Sequence, residues 1–533
     1  MDQEKWRDCL WIALGETLVA LILRPFQNTP FIDDWTYAWS VEWLLQHGEL
    51  QILEWSSNLN VVQVLWGALF CLPGGFSFTA LRVSTWVLAV GCLWGLYWLL
   101  RELDIARHAA LLGTATLAVN PVFFMLGFTF MTDVPFLAFM IGASLAMVRA
   151  VRTRQTRWLV AATILACLAS GVRLVGVVIP VAMVMVLLLH TDTWGRHPGQ
   201  LVLTLIPFIF LGMLLWWGTD NLHRTADLSQ LKESPAKRVQ NLQYALPLLP
   251  RMLVWDVEFV SNALGLSLMP LSIACLQMRL TGRAMASFCV LGLFFLGARL
   301  TNPTYIPPLA TGSTWSFAEL GGTESLVAGF QPPLMPSWCI GVLTCMGLGS
   351  AAVWLATLQW RLQSPGAVFL GWLTLGHFLL MAILWLFYDR YTLVLLPLAI
   401  GLLLAGKSPL RPLLALIFII VFGGVSVVGV HDHLQYNQAL WQAVGTLRQQ
   451  GVPDADIDGG YIVNGWLHYA HPENAPRDAQ GNILVPWLTT KSSLRYQIAN
   501  IPLPDWQLVH TIPYHRWLGR SGTICILEHD TTQ

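Results

Sequence analysis

The sequence predicts an α-helical polytopic membrane protein of about 13 transmembrane helices with a small C-terminal α/β domain. Of its 533 residues, 55% are apolar and 11% are charged, and soluble domains carry about twice that charged fraction. Apolar segments long enough to cross a bilayer recur up to residue 430, after which the composition becomes polar. The 26 Trp residues agree with this prediction, because indole rings favour the headgroup boundary.

Charge and cysteine content argue against two other kinds of protein. The 30 basic and 30 acidic residues give a formal net charge of zero, without a long basic run, so electrostatic binding of nucleic acid has no support. Most of the nine Cys residues lie inside apolar segments, and the polar regions contain no paired Cys spacing. A disulfide scaffold or a zinc site is therefore not predicted.

Thirteen crossings are predicted from the apolar segments, at about 9–24, 79–100, 108–126, 134–149, 158–172, 173–190, 201–217, 256–277, 284–299, 337–359, 366–387, 391–406 and 412–430. The short connections between them carry arginines that fall on the side of Lys5 and Arg7, which the positive-inside rule assigns to the cytoplasm. We therefore expect a multi-pass protein of a bacterial inner membrane, with a cytoplasmic N-terminus and an extracytoplasmic C-terminal domain. The two segments that flank Arg173 are short, and one long kinked element is the alternative there.

Three outward segments have room to build a site, at about 25–78, 218–255 and 300–336. Within the first of them, Leu59–Leu72 is apolar but only about fourteen residues long, so it is predicted to lie at the interface rather than to cross.

A change of composition divides the chain into a transmembrane domain, 1–430, and an extracytoplasmic α/β domain, 431–533. In the second domain, apolar residues at helical spacing predict a helix over 431–450. Alternating apolar and polar residues predict strands at 461–469, 506–512 and 522–527.

Two adjacent carboxylates, Asp33 and Asp34, lie among aromatic residues in the predicted first outward loop, and Tyr37 follows three residues after Asp34. Paired carboxylates can share a site in which one acts as a base and the other binds a cation or orients a hydroxyl. The alternative is a solvated helix start, because Asp favours caps and first turns.

A third carboxylate, Asp133, lies in the next outward turn, directly before a predicted helix. It either caps that helix, with Pro135 in the first turn, or contributes to a site on the membrane face that carries Asp33. The sequence leaves both interpretations open.

Three arginines, Arg82, Arg173 and Arg390, lie on the predicted outer face, against the usual charge bias. Each is at a helix boundary in apolar sequence, where a guanidinium needs a carboxylate or phosphate partner. Headgroup snorkelling or an internal ion pair, such as Arg390 with Asp389, is the alternative.

Other polar groups give weaker signals. The histidines of His431-Asp432-His433, and His468 with His471, resemble metal-ligand spacing but lack a clear third ligand, so solvated surface is preferred. A basic outward loop would meet an anionic acceptor or lipid headgroups; it contains Arg224, Lys232, Lys237, Arg238 and Arg251.

In this order, the motifs resemble the C-type (GT-C) glycosyltransferase superfamily, particularly its branch of protein O-mannosyltransferases and lipid A aminoarabinose transferases. The resemblance is strongest over roughly the first 190 residues, and it rests on order and spacing. Its elements are Asp33-Asp34 with Tyr37, the Leu59–Leu72 stretch, Leu81-Arg82-Val83-Ser84, Asn120-Pro121, Thr132-Asp133-Val134-Pro135 and, late in the chain, Arg390-Tyr391 followed by Pro397.

The resemblance implies transfer of a sugar from a polyprenyl-phosphate donor to a glycan, lipid or protein acceptor at the outer membrane face, with inversion at the anomeric carbon. Asp33 would be the base, with Asp34 as its alternate, and Asp133 would orient the acceptor or hold a divalent metal cation. The donor phosphate would bind Arg390, Arg173 and Arg82. The donor or the acceptor would contact Tyr37 and Tyr391.

Two other functions remain as alternatives. A flippase or transporter of lipid-linked sugars would also need outward arginines and a lipid groove, but internal repeats are typical of such proteins and none is seen here. A non-catalytic lipid-binding component of an envelope glycan complex would be compatible with the same residues.

Overall fold

The computed structural model describes residues 3–56, 58–190, 192, 194–223, 246–276, 278–301, 327–329, 337–358, 364–384, 388–406, 409–477, 481, 483, 494–518 and 521–529. Helices dominate it. Their bounds are α1 Gln3–Leu23, α2 Asp34–His47, α3 Val61–Cys71, α4 Phe78–Glu102, α5 Arg107–Ala118, α6 Pro121–Leu126, α7 Asp133–Thr153, α8 Thr156–Ser170, α9 Val178–His190, α10 Pro198–Asn221, α11 Leu249–Cys275, α12 Met278–Thr301, α13 Ser337–Thr357, α14 Pro365–Leu384, α15 Asp389–Thr392, α16 Leu395–Ala405, α17 Pro412–Gln449 and α18 Gly460–Asn464.

The predicted class, a helical membrane protein with a small strand-containing C-terminal region, is confirmed. Among the described residues, six helices are long and apolar enough to cross a bilayer, and six shorter apolar helices accompany them. The number of crossings stays a prediction.

One predicted span, 108–126, is two helices, α5 and α6, because the chain breaks at Asn120. The Asn120 side chain accepts hydrogen bonds from the backbone N–H groups of Val122 and Phe123, and Pro121 occupies the first turn. An Asn cap followed by Pro is a helix-start signal, so the sequence contained the evidence for this break.

The interfacial stretch is the helix α3, whose 11 residues extend about 16 Å, too short to cross a bilayer. A side chain at Gly67 would come within 2.5 Å of the Phe130 ring, which lies in the connection between α6 and α7. The helix α3 can approach this connection only with glycine at position 67. The Gln63 side chain also donates a hydrogen bond to the Phe130 carbonyl, at 2.8 Å. These contacts hold α3 beside the turn that leads to Asp133.

The chain between α8 and α9 is broken around Arg173. Arg173 has an extended backbone, and the turn Leu174–Val177 that follows is a 3-10 helix. A side chain at Gly176 would meet the Ser170 backbone at 2.8 Å, so the tight return of the chain there requires glycine. The break places the Arg173 side chain among the helices rather than along one of them.

The two ends of the bundle differ in their charges. On α7, Asp133 is the first residue, while Arg149 and Arg152 lie near the last turn, about 25–30 Å away along the axis. The arginine end is joined to its neighbours by ion pairs, Arg149 with Glu102 at 2.9 Å and Arg107 with Asp8 at 2.5 Å. The structure therefore separates Asp133 from the arginine-rich connections, as the charge pattern predicts.

The last long helix, α17, is continuous over 38 residues, about 57 Å. The sequence predicts a span over 412–430 and a separate helix over 431–450, but no break occurs where the domain boundary was placed at 430. The first half exposes apolar residues such as Leu413 and Ile420, whereas Leu440 and Val444 in the second half are buried against a sheet.

The C-terminal sheet is formed by β3 Ile457–Asp458, β4 Tyr496–Ala499, β5 Trp506–Tyr514 and β6 Gly522–His529. Its strand order is β3-β4-β6-β5, with β3 parallel to β4 and the other pairs antiparallel. The strands β5 and β6 confirm two predictions and are longer than expected. A separate parallel pair joins β1 Ile52–Leu53 to β2 Leu222–His223.

The predicted strand at 461–469 is wrong, because the chain there forms α18 and then a π-helical turn over Gly465–Tyr469. The Asn464 side chain binds the Asp458 carboxylate and the Gly459 backbone, which holds a helical turn where alternation indicated a strand. A side chain at Gly465 would come within 2.4 Å of the Trp35 indole, so this turn packs directly on α2.

Candidate active site

Asp33 and Arg390 form an ion pair between the loop that joins α1 to α2 and the short helix α15, with Arg390 Nη1 3.3 Å from Asp33 Oδ2. Asp33 lies at the start of α2, and 24% of its side chain is exposed, against 13% for Arg390. Asp33 thus combines a fixed cationic partner with access for a substrate.

Asp34, the alternate base, is in a different environment. It is fully buried, and its carboxylate accepts a hydrogen bond from the Phe31 backbone at 2.7 Å and lies 3.7 Å from Arg82. Burial raises the pKa of Asp34 to about 7, although the nearby Arg82 opposes that shift. A closed, buried carboxylate is suited to holding the loop, not to meeting an acceptor.

Arg82 is also fully buried, and its donors are used inside the protein. The guanidinium donates hydrogen bonds to backbone carbonyls of the first outward loop, those of Pro25, Gln27 and Thr29. The structure does not bring Arg82 into the Asp33–Arg390 pair, and its predicted contact with a donor phosphate stays a prediction.

Asp133 and Arg173 form a second ion pair, with a hydrogen bond from Arg173 Nη1 to Asp133 Oδ1. Both side chains are less than a tenth exposed. The second oxygen of Asp133, Oδ2, is buried and has no hydrogen-bond partner in the structure. Asp133 is the first residue of α7, but its carboxylate pairs with Arg173.

The Tyr391 ring joins the two ion pairs. Its centroid lies 5.1 Å from the guanidinium carbon of Arg173 and 5.2 Å from that of Arg390, within the range of a cation–π contact. Arg390 also lies 5.6 Å from the Tyr388 ring. Two guanidinium groups that share one ring create a strongly positive wall beside the two carboxylates.

Tyr37 is buried and lies one helical turn after Asp33, on the same side of α2. Burial raises the pKa of Tyr37, and its hydroxyl feels the charges of Arg390, Asp33, Asp133 and Arg173. The phenol therefore stays protonated and close to both pairs, where it can donate a hydrogen bond.

The sequence offered Asp389 as an internal partner of Arg390, and the structure gives Asp389 a different role. Its carboxylate accepts a hydrogen bond from the Arg390 backbone N–H at 2.8 Å, while the Arg390 guanidinium reaches Asp33. Asp389 thus shapes the turn that presents Arg390.

Tyr461 and Trp55 were not among the residues that the sequence predicted. The Trp55 indole N–H donates to the Tyr461 hydroxyl at 3.0 Å. Burial, and then the charge of Asp33, raise the pKa of Tyr461. More than 400 positions separate Tyr461 from Trp55, and no local pattern in the sequence could have joined them.

A divalent cation at this site stays a prediction. In the described part of the chain, no three His, Cys, Asp or Glu side chains are grouped closely enough to hold a metal ion. The unpartnered oxygen of Asp133 is the atom available to such an ion, and hard cations take carboxylate together with phosphate oxygens.

The histidine pairs have structural partners. His431 pairs with Asp432 and stacks on Trp517, His468 contacts the Asp454 carbonyl, and His471 pairs with Glu42 at 3.3 Å. Of the basic outward loop, only Arg251 lies within the described residues, where its guanidinium is 4.7 Å from the Trp255 ring.

An apolar cleft of about 460 Å³ lies between α11, α13, α14 and α16. Its lining includes Leu395, five residues beyond Arg390, and on α14 Thr374 and Phe378. These two residues flank His377, which packs against Phe136 and feels the charge of Arg173. The cleft therefore adjoins the arginine wall of the site.

The fold and this site define a multi-pass membrane protein whose helix bundle carries two paired carboxylates and arginines at one end. Residues 61–217 match the family model for dolichyl-phosphate-mannose-protein mannosyltransferase. This match confirms the resemblance to GT-C glycosyltransferases over those residues, which make up less than a third of the chain. No curated protein sequence matches the chain significantly.

Solved structures with a similar chain path share little sequence with the protein. They include ArnT from Cupriavidus metallidurans bound to undecaprenyl phosphate, at 11% identity and TM-score 0.42 over 98% of each chain. The protein O-mannosyltransferase complex of S. cerevisiae bound to the sugar donor has 14% identity and TM-score 0.34, over 42% of this chain and 35% of the yeast chain. The apo oligosaccharyltransferase of Archaeoglobus fulgidus has 14% identity and TM-score 0.41, over 84% and 58%. We assign no residue role from them.

Proposed function

We propose that this protein is a membrane glycosyltransferase that moves a sugar from a polyprenyl-phosphate donor to an acceptor at the outer membrane face, with inversion at the anomeric carbon. The observation that carries the proposal is the partly exposed carboxylate of Asp33, held 3.3 Å from Arg390 beside a positive wall and an apolar cleft. A lipid-phosphate-sugar needs these three features together.

The donor would bind with its apolar tail in the cleft and its phosphate at the arginines. The cleft volume lies within the roughly 300–1,000 Å³ typical of ligand pockets. Its lining is almost entirely apolar, which suits the tail. Leu395, which lines the cleft, is five residues beyond Arg390 in the chain, so a phosphate at Arg390 would be near a tail in the cleft.

Donor binding would also release Asp33. The Arg390–Asp33 pair rests on one Nη1–Oδ2 contact at 3.3 Å, longer than a strong charge-assisted hydrogen bond. A phosphate has more acceptor oxygens for the fork of a guanidinium than this single contact uses. Arg390 would turn to the phosphate, and the Asp33 carboxylate would be left facing the acceptor.

In the chemical step, Asp33 would take the proton from an acceptor hydroxyl as its oxygen forms a bond to the anomeric carbon. The bond from that carbon to the phosphate oxygen breaks, and the leaving polyprenyl phosphate keeps the electron pair. Arg390 and Arg173 stabilise the charge that develops on the phosphate, and Tyr37 donates a hydrogen bond close to both. The sugar carbon gains positive character, which the Asp33 and Asp133 carboxylates also stabilise.

For Asp133 we propose an orienting role. Its pair with Arg173 fixes that guanidinium beside Tyr391, and its second oxygen, which is buried and has no hydrogen-bond partner, would bind an acceptor hydroxyl or a cation. The acceptor would be a glycan, a lipid or a protein, and the membrane a bacterial inner membrane with the site on its outer face.

A reconstitution experiment tests the proposal. Purified protein is incubated with polyprenyl-phosphate donors carrying labelled mannose, glucose or a pentose, together with a membrane extract as the acceptor source. We expect label in a new product with release of polyprenyl phosphate. Movement of a donor across vesicles without transfer would support a flippase instead, and donor binding with neither outcome would support a non-catalytic component of an envelope glycan complex.

A further inference from the structure

The C-terminal region reaches the candidate site through one short segment, α18 with the π-helical turn that follows it. Its Tyr461 ring lies 6.1 Å from the Trp35 ring, and its Tyr469 ring lies 5.8 Å from the same indole. Trp35 lies on α2, two residues after Asp33, and it is fully buried. The segment therefore packs on the same turn of helix that carries Asp33.

This contact is closely fitted. The turn needs glycine at position 465, because any side chain there would overlap the rigid Trp35 indole. Next to it, Trp466 stacks on Phe76 at 5.9 Å, and His471 pairs with Glu42, which lies two turns along α2 from Trp35 on the same face. A π-helical turn is an uncommon geometry that is found mainly at functional sites. The fit fixes where the Tyr461 hydroxyl lies.

The hydrogen-bond chain at Tyr461 has a defined direction. An indole N–H can only donate, so the Tyr461 hydroxyl accepts from Trp55 at 3.0 Å. The hydroxyl keeps its own proton to donate, and an ionised carboxylate can only accept. Asp33 is near enough that, after burial, its charge is the next cause that raises the pKa of Tyr461. Trp55 thereby orients the Tyr461 hydroxyl beside the turn that carries Asp33.

We propose that Tyr461 is a positioning residue that the C-terminal region supplies to the candidate base Asp33. This inference rests on the proposed function, in which Asp33 takes the acceptor proton. Arg390 contacts one oxygen of Asp33, and Tyr461 gives the carboxylate a second fixed partner. Once a donor phosphate engages Arg390, Tyr461 is the partner that keeps Asp33 from turning away.

The consequence concerns the whole C-terminal region. It would be part of the catalytic apparatus and would assemble with α2, in addition to any role in choosing the acceptor. Its contribution should therefore appear in the rate of the chemical step more than in binding of the donor.

The test compares Tyr461→Phe with the wild-type full-length protein, using the labelled donor and membrane extract that support transfer. The Phe ring keeps the contacts with Trp35 and removes only the hydroxyl. We expect kcat to fall by roughly 10- to 100-fold, since misplacing a reacting group by about 1 Å can cost that much. The donor KM should stay within about twofold, because Tyr461 does not contact the phosphate.

Tyr436→Phe is the matched control. The Tyr436 hydroxyl is buried in the same region and donates to Asn500 at 3.0 Å. Both variants lose one buried hydroxyl, and thermal midpoints in detergent check that both fold. A merely structural role for Tyr461 predicts similar kcat values for the two.

The outcomes separate this inference from the proposed function. Wild-type kcat in Tyr461→Phe, together with a large loss in Asp33→Asn, would overturn the inference and leave the function standing. Wild-type kcat in both variants would remove the function as well. If Tyr461→Phe does not fold, Trp55→Phe decides, because it leaves Tyr461 in place without its orienting donor and should also lower kcat at unchanged donor KM.

Discussion

Arg390 lies 3.3 Å from Asp33, although 357 positions separate the two residues in the chain. The pair joins the loop between α1 and α2 to the short helix between α14 and α16. Because these two segments are far apart in the sequence, the folded bundle creates the pair.

Replacing Arg390 by Lys should weaken donor binding. Lysine keeps the charge but loses the planar fork that binds phosphate through two N–H groups. A hydrogen bond to a charged group contributes about 1.5–3 kcal/mol, so we expect the donor Kd to rise by roughly 10- to 100-fold. Titration with labelled donor measures it. An unchanged Kd would place the phosphate elsewhere.

Replacing Arg82 by Met should destabilise the protein without changing its affinity for the donor. The substitution leaves Asp34 and the loop carbonyls of Gln27 and Thr29 buried without their donor. Breaking a buried pair typically costs about 3–5 kcal/mol, so the yield of folded protein and the thermal midpoint should both fall. A raised donor Kd in the folded fraction would instead support the phosphate contact that the sequence predicts for Arg82.

Filling the apolar cleft should discriminate between donors by tail length. Ser261 lines the cleft, and Ser261→Trp would occupy part of it. We expect a rise of about tenfold or more in KM for a long polyprenyl donor, and little change for a donor with a short isoprenoid tail. Ile209→Trp is the control, since Ile209 is 61% exposed on α10 and outside the cleft. Equal effects on both donors would contradict a tail-binding role.

The contact between α2 and the C-terminal region should weaken as pH rises. Burial lowers the pKa of His471, but the hydrogen bond and charge of Glu42, with help from Glu473, outweigh it and raise the pKa above its usual 6.5. The stabilisation is therefore complete below pH 6.5 and is lost as pH rises through the higher folded value. At low pH the free energy of unfolding of His471→Gln should be about 0.5–1 kcal/mol below that of the wild type, which a lower thermal midpoint would show. At high pH the two midpoints should converge. A constant difference would argue against the charged pair.

Much of the fold could be predicted from the sequence, because hydrophobic length and charge bias act locally along the chain. The interfacial helix at Val61–Cys71 is an example, since its length alone rules out a crossing. The strands at Trp506–Tyr514 and Gly522–His529 are another, since both were predicted at nearly these bounds from local sequence, although their burial does not alternate from residue to residue.

The failures have tertiary causes. Tyr461–Tyr469 alternates like a strand, but the Asn464 contact with Asp458 and the Gly465 contact with Trp35 hold it in helical turns. The prediction divided the long helix at residue 430, because an amphipathic pattern replaces an apolar one there. In the structure the helical backbone continues through this position. Composition marks a change of environment, and it does not require a break in the backbone.

The candidate site shows the same limit. The sequence identified Asp33, Asp133, Arg173 and Arg390 from residue type and predicted side of the membrane, and the structure brings them together around Tyr391. Residue type could not separate Asp33 from Asp34, which differ in burial and in their partners, Arg390 for Asp33 and Arg82 for Asp34. Tyr461 could not be found at all, because its importance comes from a contact made across most of the chain.

The most direct test of the account is single-turnover sugar transfer by Asp33→Asn. Asn has nearly the same shape but cannot accept the acceptor proton, so transfer should slow by about 10²- to 10⁴-fold while donor binding and the thermal midpoint are kept. The measurement is the rate at which label leaves a polyprenyl-phosphate sugar for product, with enzyme in excess over donor. A rate within a few-fold of wild type would contradict the account, since Asp33 would then not be the base.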